Sequence, residues 1–497
     1  MADASRPRSR RLSRRDVLRG GAAGTAALAL GSTLGTGRAY AATRIPIDPG
    51  TRYQTFEGWG TALSWGANAI GGWRDVDARE EIVDLLYDDR RGLGLEIARY
   101  NIGAAEHPDH DHMRLSAEIP SLMPRPGEWD LTRDAAQRWV LERALRGSAR
   151  HIEGFVTSPH YWWTHSGCAS GAVDKGNNLK PEHVGDFADF VTEIPRVFAR
   201  EWGIGIDALS PVNEPSADWW VANGSQEGCH YDPEYQRQVL VAVHERLEAK
   251  GLADRVRLSM SEEPGAEAAL ATLRVLGDDA RRLGTVTTHS YWDQERTGLH
   301  DAVRALGASL WMSEWGTSGD AGYQPQHISN ALNLSRTMLR DLRELRADAW
   351  NVWNAIESQE ANRSEDVSWG LIHATYTPGQ EDFYVAKQYY GYGNYAKFVR
   401  PGSVAVEIGD PQAFATYDAK HRRLVVVFTE RGTADRDVTF DLGRFAPSAG
   451  AVLRHRTSAT ENLAGLRPEV HRDGSYRTTL KRESITTFEF PGVVPRR

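Results

Sequence analysis

An α/β fold, a (β/α)8 TIM barrel with a packed antiparallel β-sandwich side domain, is predicted by three observations. Apolar strand-like runs alternate with stretches of helical period from Phe56 onward. Two glutamates a hundred residues apart, Glu214 and Glu314, each close one of those runs. After about Tyr395 the texture changes to short alternating runs separated by Gly, Pro, Asp and Asn.

The candidate barrel strands end at Glu57-Gly58-Trp59-Gly60, Arg99-Tyr100-Asn101, Ser158-Pro159, Asn213-Glu214, Ser261-Glu262, His289-Ser290-Tyr291, Glu314-Trp315 and Asn354. Between them, Asp77–Leu86, Pro181–Arg200, Glu234–Ala249, Glu267–Leu276 and Ile328–Leu345 show amphipathic helical period. This places the barrel at residues 56–395. Runs such as Val404–Ile408, Leu424–Phe428, Val438–Leu442 and Thr486–Phe490 place the sandwich at 396–497, with residues 42–55 supplying it with a strand.

Residues 1–41 are of another kind. Ser13-Arg14-Arg15-Asp16 precedes a small-residue apolar run from Gly20 to Leu34, and Ala39-Tyr40-Ala41 has the small-x-small form of a cleavage site. The paired arginines and weakly hydrophobic run resemble a twin-arginine export signal, so the protein is expected to be secreted. The segment holds eight Arg and two Asp, so removing it leaves a chain of about −14 from a total of −8. That balance argues against nucleic acid or an anionic membrane as partner. Cys168 and Cys229 are the only cysteines. An even count after export, both in loops after proposed strands, leads us to expect a disulfide.

Chemistry in such a barrel sits at the carboxyl ends of the strands. Ser210-Pro-Val-Asn-Glu-Pro215 follows one apolar run and Ser313-Glu-Trp-Gly316 another, which suggests that Glu214 and Glu314 face one cleft. A carboxyl pair is what glycosidic bond cleavage needs, one protonated to release the leaving oxygen and one ionised to meet the developing cationic carbon. Trp59, Trp65, Trp162, Trp163, Trp219, Trp220, Trp292, Trp315 and Trp353 fall at or just past strand ends, where indole faces would stack on sugar rings. Glu57, Glu106, Glu262, Glu263 and Glu357 compete as carboxylates, but none has both a preceding Asn and flanking Trp.

Other motifs are set aside. Gly203-Ile-Gly205-Ile-Asp-Ala208 matches a dinucleotide pattern but precedes a strand instead of following one into a helix. His107, His110 and His112 have the makings of a metal cluster, yet no carboxylate–helix motif accompanies them; no metal and no other cofactor is expected. No Gly-x-Ser-x-Gly elbow or Gly-Lys-Ser/Thr phosphate loop is present.

Taken in order, Phe56-Glu-Gly-Trp-Gly60, Arg99-Tyr-Asn-Ile-Gly103, Ser210–Pro215, Ser313–Gly316 and Phe398-Val-Arg-Pro-Gly402 resemble glycoside hydrolase family 30 across the whole mature chain. Gln226-Glu-Gly-Cys229 after Trp219-Trp220, and Asn177-Asn-Leu-Lys-Pro181, look like its branch acting on β-1,6-galactan; the first strand reads Gly-Trp-Gly-Thr in place of the commoner Gly-Phe-Gly-Gly. The resemblance implies Glu214 as acid/base, Glu314 as nucleophile, Asn213 as partner of the sugar 2-hydroxyl, and Arg99, His289 and Tyr291 as their support. With Trp59, Trp163, Trp219, Trp315 and Trp353 as sugar platforms, the reading is a secreted, monomeric, retaining endo-β-1,6-galactanase. The alternatives are an exo-acting galactobiohydrolase, another family activity (β-1,6-glucan, glucosylceramide, glucuronoxylan), or a carbohydrate-binding protein without turnover.

Overall fold

The apolar runs close on themselves. The computed structural model describes residues 42–292 and 294–496, and the export signal read in residues 1–41 lies outside them. After β1 (Thr43–Thr55) come eight parallel strands: β2 (Gly58–Ala62), β3 (Ile97–Ile102), β4 (His151–Val156), β5 (Ala208–Ser210), β6 (Arg257–Gly265), β7 (Thr285–Trp292), β8 (Ser309–Glu314) and β9 (Ala349–Asn354). Each pairs in parallel with the next, and β2 pairs with both β3 and β9, which completes the ring. Parallel barrel strands are covered on both faces, so their sequences are continuously apolar or small and not alternating. Every residue of β2, β3, β5 and β9 is buried.

The helices are α1 (Ser64–Ile70), α2 (Val76–Tyr87), α3 (Ala135–Arg146), α4 (Val184–Val197), α5 (Pro233–Ala249), α6 (Ala266–Leu276), α7 (Arg296–Leu306), α8 (Ile328–Arg340), α9 (Gln359–Ser364) and α10 (Lys387–Ala396). In α5, Asp232 caps the first turn by accepting from Tyr235 N at 2.9 Å, and Pro233 follows where a helix has no need of an N–H. Its face of Val239, Leu240, Val243 and Leu247 is buried against the barrel. The buried face of α3 also takes in Gln137 and Arg138, and that of α7 Arg296 and His300.

The side domain is a nine-stranded sheet that curls round a core of its own, with β1 joining its two parts. It is made of β1, β13 (Val404–Ile408), β14 (Ala413–Asp418), β15 (Arg423–Glu430), β16 (Arg436–Asp441), β18 (Gly450–Thr457), β19 (Ala464–His471), β20 (Ser475–Leu480) and β21 (Ser484–Pro491). Three short strands, β10 (Ile356–Ser358), β11 (Ile372–Ala374) and β12 (Phe383–Val385), follow the barrel, and β17 (Phe445–Ala446) pairs with β22 (Val494–Pro495). The large sheet curls until its edge strands β19 and β20 touch, and β1 joins it antiparallel to β13 and parallel to β16.

Strand β15 explains how the sheet serves two cores. Successive side chains point to opposite faces. Leu424, Val426 and Phe428 enter the domain's own core, while Val425 and Val427 join the barrel core through α8 and α10. Polar contacts fix the seam: Tyr395 meets Ser335 at 2.7 Å and Asn394 donates to Thr487 at 3.0 Å. No described helix is long and apolar enough to cross a membrane.

Candidate active site

Arg99, on β3, sits inside the barrel with no exposed surface and holds three carboxylates from three other strands. Its Nε donates to Glu153 of β4 at 2.7 Å, Nη2 to Glu262 of β6 at 3.0 Å and Nη1 to Glu314, the last residue of β8, at 3.4 Å. His289 of β7 forms the second hub. Its Nε2 is 2.9 Å from Glu262, and its Nδ1 is 3.3 Å from Glu214 Oε1 and 3.6 Å from Glu314 Oε1. The Tyr291 hydroxyl, two residues on and therefore on the same face, donates to Glu314 Oε1 at 3.1 Å.

Glu214 lies four residues past β5 with φ 45°, a left-handed conformation that side chains other than glycine adopt at a cost. Two contacts hold it there: its N–H donates to the Glu262 carbonyl at 2.8 Å, and Trp220 Nε1 donates to its own carbonyl at 2.9 Å. Next to it, Asn213 is buried with a side-chain oxygen that has no partner, and it lines the same cleft. One oxygen of Glu214, one of Glu314 and a His289 nitrogen all lie within 4.8 Å of one another.

Burial works against the charge on His289, but the Glu314 carboxylate and the bonds to Glu214 and Glu262 raise it to about 10, so the ring is a cation. Burial also opposes the Glu262 anion, yet Arg99 and His289 hold it down at about 2. Glu153 moves the other way: burial pushes it up despite Arg99. Glu314 itself is raised to about 7, by burial first, with the His289 cation opposing and the Glu214 charge adding to the rise.

The cleft above this pair, about 450 Å³, is lined by Trp65, Trp219, Trp353 and Trp369, with Arg114, Gln226, Glu227 and Glu357 among its polar groups. A close carboxyl pair, the buried Arg99 and His289 beside it and indole walls form an apparatus for cleaving glycosidic bonds. The comparisons agree. The family model described as O-Glycosyl hydrolase family 30 matches residues 42–267. The chain is an O-glycosyl hydrolase that resembles family 30. It is 28% identical to an endo-β-1,6-galactanase of Hypocrea rufa over 92% of this chain and 96% of that one. It is 23% identical to an exo-β-1,6-galactobiohydrolase of Bifidobacterium longum subsp. longum, over 86% of this chain but 38% of that protein. Its fold resembles the catalytic domain of the family 30 xylanase C from Talaromyces cellulolyticus, with a TM-score of 0.68 and 17% identity, covering 90% of this chain and 99% of that one.

Of the tryptophans expected as sugar platforms, Trp219 and Trp353 reach the cleft of the hydrolase; Trp59, Trp163 and Trp315 do not. Trp59 is wholly buried on the outer face of β2, its N–H on the Val399 carbonyl at 2.7 Å and its ring against Tyr392 and Tyr395 of α10. Trp315 is the outward neighbour of inward Glu314 and packs on Trp350. Trp163 wedges edge-on between His160 and Phe190, beside a separate depression with Trp129. A position near a strand end does not say which face a side chain takes.

Cys168 and Cys229, expected as a pair, are both free. Cys168 Sγ faces His110 Nδ1 at 3.5 Å and Asn223 at 3.8 Å, whereas Cys229 Sγ is turned to the His230 carbonyl at 3.5 Å. Two loops near in space need not turn their sulfurs to the same side. The Asn177–Asn178 motif lies outside the cleft. Asn177 exchanges two 2.7 Å bonds with Asp232, and Asn178 donates to the Cys168 carbonyl at 3.1 Å, which braces the loops after β4 and β5.

Glu153 and Glu262 were absent from the expected site. Glu262 and Glu263 were indistinguishable as neighbours, but only Glu262 points inward; Glu263 faces Gln236, Thr272 and Ser216. Trp369, which was not among the expected tryptophans, and Glu357, one of the competing carboxylates, reach the cleft through the segment following β9. Trp219 is 43% exposed at the cleft edge. Trp219→Ala should therefore cost about 1–2 kcal/mol of substrate binding, roughly 5- to 30-fold in kcat/KM, with the melting temperature nearly unchanged. Steady-state kinetics beside thermal denaturation checks this.

Proposed function

We propose that this hydrolase is an exported, retaining family 30 endo-β-1,6-galactanase. The observation that carries the mechanism is the approach of Glu214 and Glu314 to within 4.8 Å, oxygen to oxygen. Retaining enzymes hold their carboxyl groups about 5–5.5 Å apart, against roughly 6.5–9.5 Å where a water must fit between. The division of roles follows from the donors. Arg99, Tyr291 and His289 all reach Glu314, which favours its anion as nucleophile. Glu214 is then the acid that gives a proton to the leaving oxygen, and it takes one back from the water that releases the product. Asn213, with its unpartnered amide oxygen at the cleft, is placed to bind a sugar hydroxyl.

The substrate reading rests on the endo-β-1,6-galactanase relative, aligned over nearly the full length of both chains. Digestion of β-1,6-galacto-oligosaccharides of defined length tests it. Cleavage at internal bonds, with short products of several lengths, is expected. Release of disaccharide alone from one end would make the enzyme exo-acting, as the galactobiohydrolase relative is named. Faster turnover of glucuronoxylan would overturn the substrate while leaving the mechanism in place. Export is tested separately: replacing Arg14 and Arg15 by Lys should retain the protein inside the cell.

A pH dependence follows as well. Glu314 must be ionised to attack, and its carboxyl stands at about 7. As pH falls through that value the anion is lost, so the acid limb of kcat/KM should centre near pH 7 and not near the ~4.3 of an ordinary glutamate. His289→Phe removes a cation that lowers Glu314 and should move that limb to higher pH. A limb unmoved in the variant would contradict the coupling.

A further inference from the structure

We propose a second functional centre, a divalent transition-metal site of the zinc class, made by Glu106, His110, His112 and Cys168 on the loops after β3 and β4. One ligand-type atom from each of the four lies within 4.8 Å of all the others. Nδ1 of His110 is 2.9 Å from Glu106 Oε1 and 3.5 Å from Cys168 Sγ, and Nε2 of His112 is 3.7 Å from Glu106 Oε2. Around a tetrahedral zinc with bonds of about 2.0–2.3 Å, neighbouring donors stand roughly 3.3–3.6 Å apart. Two of the three distances are thus close to those of a bound ion, and shifts of about an ångström would bring all four donors to it.

Three details distinguish this cluster from an ordinary solvated group. His112 Nδ1 lies 2.6 Å from the Gly224 carbonyl, which can only accept, so that nitrogen carries the proton. In the neutral ring Nε2 is then a lone pair, and it is buried with no hydrogen-bond partner and faces the other three residues. A carbonyl behind one imidazole nitrogen with a bare lone pair in front is the usual support of a metal-bound histidine. Glu106 is oriented in the same manner, Oε1 accepting from His107 N at 2.7 Å and Oε2 from Ala169 N at 2.8 Å. Finally, a carboxylate, a thiolate and two neutral imidazoles balance a divalent charge, with binding releasing the Cys168 proton.

Four protein donors make a closed site, and a closed site is structural. Its position gives it a purpose. His112 ties to Gly224, and two residues on Arg114 ties to Gln226 at 2.6 Å, both of them lining the catalytic cleft. The ion would join the loops after β3 and β4, and through Gly224 the loop after β5, in the place where the sequence had suggested a disulfide. It also revises the expectation that the histidine cluster is merely solvated.

Metal analysis of the purified full chain tests this, after chelation and then dialysis against Zn2+. About one zinc per chain is expected, together with a rise in melting temperature over the chelated protein. The Co2+-loaded chain should show a sulfur-to-cobalt charge-transfer band that Cys168→Ser lacks. His112→Ala should bind zinc at least about 100-fold more weakly. The wild-type measurement stands even if a variant fails to fold. No bound zinc under excess Zn2+ with no thermal shift, or undiminished binding by both variants, would overturn the proposal.

Discussion

Glu314→Ala is expected to lower kcat by about five orders of magnitude or more on every substrate, including aryl glycosides with good leaving groups. Leaving-group chemistry cannot compensate, because without the Glu314 carboxylate no glycosyl-enzyme forms. Added azide should not restore the retained anomer. Glu214→Ala should behave differently. It removes proton donation, worth about 10²–10⁴-fold, so galactan hydrolysis should fall by that factor. Formation of the glycosyl-enzyme from a nitrophenyl glycoside should stay comparatively fast, since nitrophenolate departs unprotonated. The contrast comes from geometry: Glu314 receives Arg99, Tyr291 and His289, whereas Glu214 receives His289 and is held by its backbone. Pre-steady-state kinetics of the two variants on galactan and on an aryl glycoside separates the roles, and the reverse pattern would exchange them.

Arg99→Met should be among the most destabilising single changes in the barrel, by about 3–5 kcal/mol. The guanidinium is wholly buried and is the shared partner of Glu153, Glu262 and Glu314, and its removal leaves buried charge uncompensated. The pH dependence identifies the cause. Glu262, held at about 2, contributes stability that is present above the unfolded glutamate value near ~4.3 and is lost as pH falls towards 2. The variant lacks most of that contribution. The gap in stability between wild type and variant should be widest above about pH 5 and narrow towards pH 2–3. Denaturant unfolding across that range measures it. A gap independent of pH would assign the loss to packing alone, for example to the Arg99 contact with the Phe155 ring at 4.4 Å.

The barrel was legible because each buried parallel strand is a continuous apolar run ending at a residue of distinct chemistry. Glu214 and Glu314 stood out because Pro215 and Gly316 end the runs they close. What the sequence left open was the direction of side chains. Trp59 and Trp315 look outward while their neighbours on the same strands look in, and nothing in a fully apolar strand marks its inner face. Glu262 and Glu263 posed the same problem as adjacent glutamates. The disulfide expectation failed for a related reason: cysteine count says nothing of where a loop turns its sulfur.

The central claim is that Glu314 attacks the sugar and Glu214 supplies the proton. Reaction with a 2-deoxy-2-fluoro-β-galactosyl fluoride, followed by peptide mass mapping, tests it most directly, because the fluorine slows hydrolysis of the glycosyl-enzyme more than its formation. The account predicts a single adduct on the peptide containing Ser313-Glu314-Trp315 and none after Glu314→Ala. An adduct on Glu214, or an inverted product with no adduct at all, would contradict it.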